Sequence, residues 1–211
     1  MAYSTRRLLP QHLQNRFINL LSPLVRLISK WGLSPNSFTV AGVILTAAGT
    51  GAFLAGFIRL AGICILLGGL CDTLDGLLAR TTGRATRFGA LLDSTVDRYA
   101  EFIMFSGIAA YFFFIDDYGT AAGTLLALGG SFMVSYTRAR AESLGFDAKG
   151  GFMQRPERIV LIGSGAIIHL NALILAIWLV AFFANFTALQ RIRCAYKQDS
   201  SEFKEEIIIK T

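Results

Sequence analysis

The chain has 211 residues, of which 54% are hydrophobic and only 16% are charged. That length suits one domain, and the composition excludes an ordinary soluble globular protein. Seventeen phenylalanines and 21 glycines suit helices packed in lipid, where small residues let backbones approach closely. Cys64, Cys71 and Cys194 follow no metal or redox spacing and read as apolar packing residues, while His12 and His169 stand too far apart in sequence to suggest a histidine zinc site.

In chain order, residues 1–37 lack a compact apolar run followed by a small-residue cleavage site, so no cleavable signal peptide is expected. Leu13, Phe17, Leu20, Leu21, Leu24 and Leu27, with Arg16, Arg26 and Lys30 among them, predict an amphipathic helix lying on the membrane interface. Pro23 is expected to kink or start a helix there. Pro35-Asn36-Ser37-Phe38-Thr39 opens the next helix, with Ser34 or Asn36 as its N-cap. Six apolar stretches follow as transmembrane helices: Phe38–Phe57, Leu60–Arg80, Phe88–Phe114, Tyr118–Arg138, Glu157–His169 and Asn171–Gln190. The fifth is short and starts near Pro156, a favourable first helical position. The mixed-charge stretch Asp199–Thr211 reads as a mobile cytoplasmic end. The expected fold is therefore an all-α integral membrane protein: a membrane domain over residues 1–195, with an interfacial region 1–37 and six spans within 38–190, then a tail over 196–211.

Charge sets the expected orientation. All but two of the 20 Lys and Arg residues precede the first span, follow the last, or lie in the two connections on that same side and the span ends that border them. The exceptions are Arg59, at an opposite-side turn, and Arg98, within the third span; the opposite loop instead carries Asp116 and Asp117. The positive-inside rule then places both termini in the cytoplasm and the protein in the cell (inner) membrane. No nucleic-acid partner is expected for this positive charge.

Four aspartates interrupt membrane-grade sequence: Asp72 and Asp75 in LGGLCDTLDGLLAR, Asp93 and Asp97 in FGALLDSTVDRYAEF. On helices, spacings of three and four residues put each pair on one face. A carboxylate at bilayer depth costs roughly 2.5 kcal/mol or more on insertion scales. Four converging carboxylates also repel one another, and a hard divalent cation with oxygen ligands resolves both problems. A short loop joins the two spans, so antiparallel packing is expected to bring the four groups together near the cytoplasmic face. Gly76 and Ala79 would clear space beside the ion, and Arg80 offers a fork suited to phosphate oxygens. A cation transporter using the same aspartates would continue its polar path across the membrane. Beyond Glu101 the third span instead turns to FIMFSGIAAYFFF, with no charged group until Asp116.

Read together, the line is Asp72-x2-Asp75-Gly76-x2-Ala79-Arg80-x8-Gly89-x3-Asp93-x3-Asp97. It resembles the CDP-alcohol phosphotransferase family at every defined position, and the resemblance extends along the whole chain. It implies a phospholipid-synthesising enzyme that moves a phosphatidyl group from a CDP-linked lipid to an alcohol and releases CMP. It further implies Mg²⁺ or Mn²⁺, with room for two ions, on Asp72, Asp75, Asp93 and Asp97. Asp97 would be the base that takes the hydroxyl proton. Asn36, Thr39, Gly76, Ala79, Arg80, Thr86 and Gly89 would contact the CDP-lipid. A homodimer is also implied.

Arg138, Arg155 and Arg158 can face the cytoplasmic mouth of the cavity, where guanidinium groups suit a phosphorylated acceptor. The runs Ser135–Glu142 and Arg155–Arg158 look like those of phosphatidylinositol phosphate synthases and their archaeal ether-lipid counterparts, with Arg138 in place of the more usual Lys and Pro156 inside the second run. This implies inositol 1-phosphate as acceptor and CDP-diacylglycerol or CDP-archaeol as donor. Glycerol 3-phosphate is the second candidate, since it too needs a phosphate pocket.

Overall fold

A computed structural model describes residues 11–30, 34–83, 86–148 and 150–210. The chain forms seven helices among these residues: α1 Gln11–Lys30, α2 Pro35–Leu54, α3 Ile58–Thr81, α4 Arg87–Phe114, α5 Tyr118–Ser143, α6 Arg155–Ile168 and α7 Leu170–Lys210. Among the described residues, three segments are long and apolar enough, by length and composition, to cross a membrane: Pro35–Leu54, Ile58–Thr81 and Leu170–Ser200. At 14 residues, α6 is shorter than the roughly 20 that a bilayer crossing takes.

Local chemistry sets the ends. Pro35 lies in the first turn of α2, behind an extended Ser34. The α2–α3 turn runs through Gly56 at φ +80°, which only a residue without Cβ adopts cheaply. Thr86 caps α4 by accepting from the Gly89 N–H at 2.9 Å. Asp117 caps α5 by accepting from the Thr120 N–H at 3.0 Å. Helix α6 starts at Arg155 with Pro156 in its first turn, as the sequence suggests, and ends where His169 turns extended.

Two local expectations are corrected. Helix α1 continues through Pro23 rather than starting there. Helix α7 does not stop near the apolar end at Gln190 but runs on to Lys210. From Leu170 to Thr211 the sequence holds no Gly or Pro, so nothing in it terminates the helix.

Six helices close a ring: α2 packs on α3 and α4, α4 on α5, α5 on α7, α7 on α6, and α6 on α3. Helix α1 packs against α3, burying Leu21, Val25 and Ile28 on Leu74 and Leu78 while Leu20, Leu24 and Leu27 stay exposed. Phe53, Ile65, Phe105, Ile108, Phe112, Ile162, Leu173 and Ile177 fill the main core. Much of the exterior is apolar, including Phe102, Phe113, Leu125, Leu175 and Phe182, which suits a molecule whose outer solvent is lipid.

The α3–α6 seam is the tightest. A Cβ added at Gly62 would stand 2.6 Å from the Gly163 carbonyl, and one at Gly163 would stand 2.6 Å from Leu66 Cγ. Only glycine allows the two backbones this approach. The expected antiparallel packing of α3 on α4 is not found: they make little direct contact, and α2 stands against both. The aspartates of α3 and α4 therefore meet across a gap, and other helices bridge it.

Candidate functional site

A cavity of about 440 Å³ opens between the start of α2, the end of α3 and the start of α4. Helix α2 contributes Ser34, Pro35, Asn36 and Thr39 to its wall. Helix α3 contributes Asp75, Gly76, Ala79 and Arg80, and the α4 side contributes Thr86, Phe88, Gly89 and Asp93. All seven residues expected to contact a CDP moiety thus line one space, together with two of the four aspartates. The lining follows from the helix period: Asp75, Gly76, Ala79 and Arg80 share one face of α3, as Gly89 and Asp93 do on α4.

Three of these residues also have structural work. Thr39 Oγ1 donates to Asp75 Oδ2 at 2.7 Å, tying α2 to α3 at the cavity wall. The Arg80 guanidinium lies across Gly76, where an added Cβ would meet Nη1 at 3.5 Å. Thr86 holds the first turn of α4 through its cap on Gly89.

The other two aspartates meet at an arginine. Arg155 Nη2 donates to Asp72 Oδ2 at 2.6 Å, and Arg155 Nη1 stands 2.8 Å from Asp97 Oδ1. One guanidinium from α6 therefore joins α3 to α4. The carboxylates of Asp72 and Asp93 also act electrostatically on Asp97, so the four acidic groups form one charged neighbourhood. On the α2 side, a Cβ at Gly42 would stand 2.7 Å from Asp72 Oδ1, so glycine there leaves room for the carboxylate.

The charge chain continues inward. Arg98 Nη2 lies 3.8 Å from Asp97 Oδ2, and Arg98 Nε lies 3.4 Å from Glu101 Oε2. Glu101 Oε1 accepts from Arg158 Nε at 2.9 Å and from Arg158 Nη2 at 2.5 Å, while Arg158 Nη1 donates to the Met153 carbonyl at 3.1 Å. Both partners of the Glu101–Arg158 pair are only 1% exposed. Both Arg158 bonds to Glu101 converge on Oε1, while Oε2 makes no hydrogen bond and faces Arg98; a pair this deep persists because each charge has an opposite one against it.

This arrangement corrects the expected position of Arg158. Arg158 does not face the cavity mouth; its guanidinium is buried on Glu101. Arg138 lies on the exposed end of α5, where its Nε bonds Glu142 Oε1 at 3.0 Å, an ordinary pair one helical turn apart. Only Arg155 of the three touches the aspartates. The roles of Arg98, Glu101 and Gly42 were not found in the sequence. Glu101 lies four residues after Asp97 on the same helix face, a signal that would have placed it in the network.

The donor set suits a hard divalent ion: carboxylate oxygens on two helices, with two of them already sharing one cationic partner. Asp72 and Asp97 close on Arg155, and Asp75 bonds Thr39. Among the described residues no three acidic, histidine or cysteine side chains stand close enough to share one ion.

The loop leading to Arg155 is anchored on α7. The Met153 N–H donates to Thr187 Oγ1 at 3.0 Å, Arg191 Nε donates to the Gly150 carbonyl at 2.9 Å, and Gln198 bonds the Asp147 backbone at 2.9 and 2.8 Å. Arg191 also donates to the Val134 carbonyl, which ties α5 to the same loop.

Comparison with known proteins gives consistent matches. The family model for CDP-alcohol phosphatidyltransferase matches residues 32–192. The archaetidylinositol phosphate synthase of Pyrococcus horikoshii is 37% identical over 180 residues, covering 83% of this chain and 92% of the relative. The crystal structure of Mycobacterium tuberculosis phosphatidylinositol phosphate synthase with CDP-DAG bound superposes with a TM-score of 0.75 at 33% identity, covering 84% of this chain and 94% of that one. A second structure of that enzyme, in complex with manganese and citrate, gives a TM-score of 0.74 at 33% identity, covering 82% of this chain and 88% of that one.

Proposed function

This chain belongs to the CDP-alcohol phosphatidyltransferase family, and from that membership we propose that it makes a phosphatidylinositol phosphate, moving the lipid-phosphate group of CDP-diacylglycerol or CDP-archaeol onto inositol 1-phosphate with release of CMP. The observation that carries this reading is the single cavity in which Asn36, Thr39, Gly76, Ala79, Arg80, Thr86 and Gly89 come together beside Asp75 and Asp93. Relatives named for inositol phosphate acceptors support the choice of alcohol.

In this reading the CDP moiety occupies that cavity. Small residues at Gly76, Ala79 and Gly89 admit it, and Arg80 offers its fork to phosphate oxygens. Asp72, Asp75, Asp93 and Asp97 hold Mg²⁺ or Mn²⁺, in keeping with the manganese complex of the mycobacterial structure. When bound, such an ion neutralises charge on the pyrophosphate oxygens and eases departure of CMP. Asp97 takes the proton from the acceptor hydroxyl. The hydroxyl oxygen forms a bond to the lipid-side phosphorus as the bond from that phosphorus to the CMP oxygen breaks. A carboxylate beside a divalent ion would be a weak base, so positioning supplies much of the rate. Arg155 and Arg138 serve the acceptor phosphate; Arg158 is structural.

The same reading has α2 to α7 as six spans and α1 on the cytoplasmic interface. Both termini and the cavity mouth face the cytoplasm, the last part of α7 projects from the membrane, and the protein works as a homodimer. A lipid donor then enters sideways and a soluble acceptor from below.

The test is CMP release by purified protein given CDP-diacylglycerol and, in parallel, inositol 1-phosphate, glycerol 3-phosphate, serine and inositol. Release with inositol 1-phosphate alone is expected. Turnover with glycerol 3-phosphate instead would assign the other phosphorylated acceptor.

A further inference from the structure

Arg155 was expected at the acceptor, yet it lies between two carboxylates expected at the metal. We propose that Arg155 holds the cation position between Asp72 and Asp97 until a divalent ion takes it, and that the displaced guanidinium then serves the acceptor phosphate. The inference rests on the metal and acceptor assignments under Proposed function.

Three observations carry it. First, the contacts are close and double: one planar cation satisfies an oxygen of each carboxylate, at 2.6 and 2.8 Å, from a third helix. Two carboxylates this near each other need a positive partner, and the guanidinium supplies it. Second, with Arg155 there, no three acidic, histidine or cysteine groups among the described residues share a position for one ion. Asp72 and Asp97 are engaged by the arginine, so closing on an ion requires them to leave it. Third, Arg155 can leave. Its side chain is 17% exposed, against 1% for Arg158 three residues on, and it sits in the first turn of α6. Arg158 is fixed by three hydrogen bonds, so the helix can stay in place while the Arg155 side chain swings.

Electrostatics favours the exchange once an ion is present. A divalent ion and a guanidinium within a few ångströms repel each other, and the carboxylates gain more from the higher charge. A phosphate beside the site is the natural next partner for the released fork. Ion binding and acceptor binding are thereby coupled, and each strengthens the other. This ordering keeps the acceptor phosphate from being gripped before the site is loaded.

The experiment is Mn²⁺ titration of the full-length protein in detergent, without lipid or acceptor, reading free Mn²⁺ by electron paramagnetic resonance. Arg155→Ala is expected to bind Mn²⁺ about tenfold more tightly than wild type. Equal or weaker binding by the variant overturns the displacement while leaving the metal assignment standing. Absence of Mn²⁺ binding in both proteins overturns the metal assignment and the displacement with it. A second measurement needs no variant: phenylglyoxal labelling of wild-type protein, mapped by mass spectrometry. Mn²⁺ is expected to speed modification of Arg155 severalfold and leave Arg158 unmodified; slower or unchanged labelling of Arg155 counts against the proposal.

Discussion

At position 97 one carboxylate has arginines on both sides, Arg155 at 2.8 Å and Arg98 at 3.8 Å. The proposed base thus sits at the junction between the exposed part of the charge chain and its buried part. Asp97→Asn keeps the shape and most hydrogen bonds but cannot take a proton. CMP release is expected to fall by roughly 100-fold or more, with CDP-lipid binding, measured by isothermal titration, largely retained; normal turnover would remove Asp97 from the chemistry. Glu101 acts differently. Glu101→Ala leaves Arg158 as an uncompensated buried cation, at a cost of about 3–5 kcal/mol in unfolding free energy. Replacing both partners, as Glu101→Leu with Arg158→Met, is expected to recover much of that loss in denaturant titrations. A double variant no better than the single one would mean that the pair is not the main partner of either group.

At the level of helices, much was legible. The start of α6 beside Pro156 follows from proline's restricted backbone, and the break at His169 falls at the boundary expected between the last two spans. The aspartate spacing correctly put Asp72 with Asp75, and Asp93 with Asp97, on shared helices. Less visible was the continuation of α7, because a polar composition says little about helicity when Gly and Pro are absent. Arg158 was misread for a related reason: an arginine near a span end looks the same in sequence when it anchors at the surface and when it is buried on a partner 57 residues away. The glycines carry a clear prediction at this scale. Gly62→Ala forces a Cβ against the Gly163 carbonyl and should destabilise the α3–α6 seam by about 1–3 kcal/mol. It is expected to lower thermal stability in detergent, whereas Gly129→Ala, which faces open space on α5, should not.

For the molecule as a whole, periodicity gives the faces of helices but not their neighbours. The short α3–α4 connection suggested direct antiparallel packing, yet the ring places α2 against both helices and leaves the space between the end of α3 and the start of α4 open. That opening is the cavity, so the departure from the simplest packing is what makes room for a ligand. The connection across it is made by side chains: Thr39 to Asp75 from α2, and Arg155 to Asp72 and Asp97 from α6. A site assembled in this way can rearrange without unfolding any helix, because its links are polar and at its edge while the apolar core around Phe105 and Ile108 stays packed.

The most direct measurement is anomalous diffraction from crystals grown with Mn²⁺ and CDP-diacylglycerol. The account predicts a manganese peak ligated by carboxylate oxygens from both α3 and α4, with the nucleotide in the cavity lined by Asn36, Thr39, Gly76 and Arg80. Manganese bound away from Asp72, Asp75, Asp93 and Asp97, with Asp72 and Asp97 still closed on Arg155 and the nucleotide in place, would contradict it.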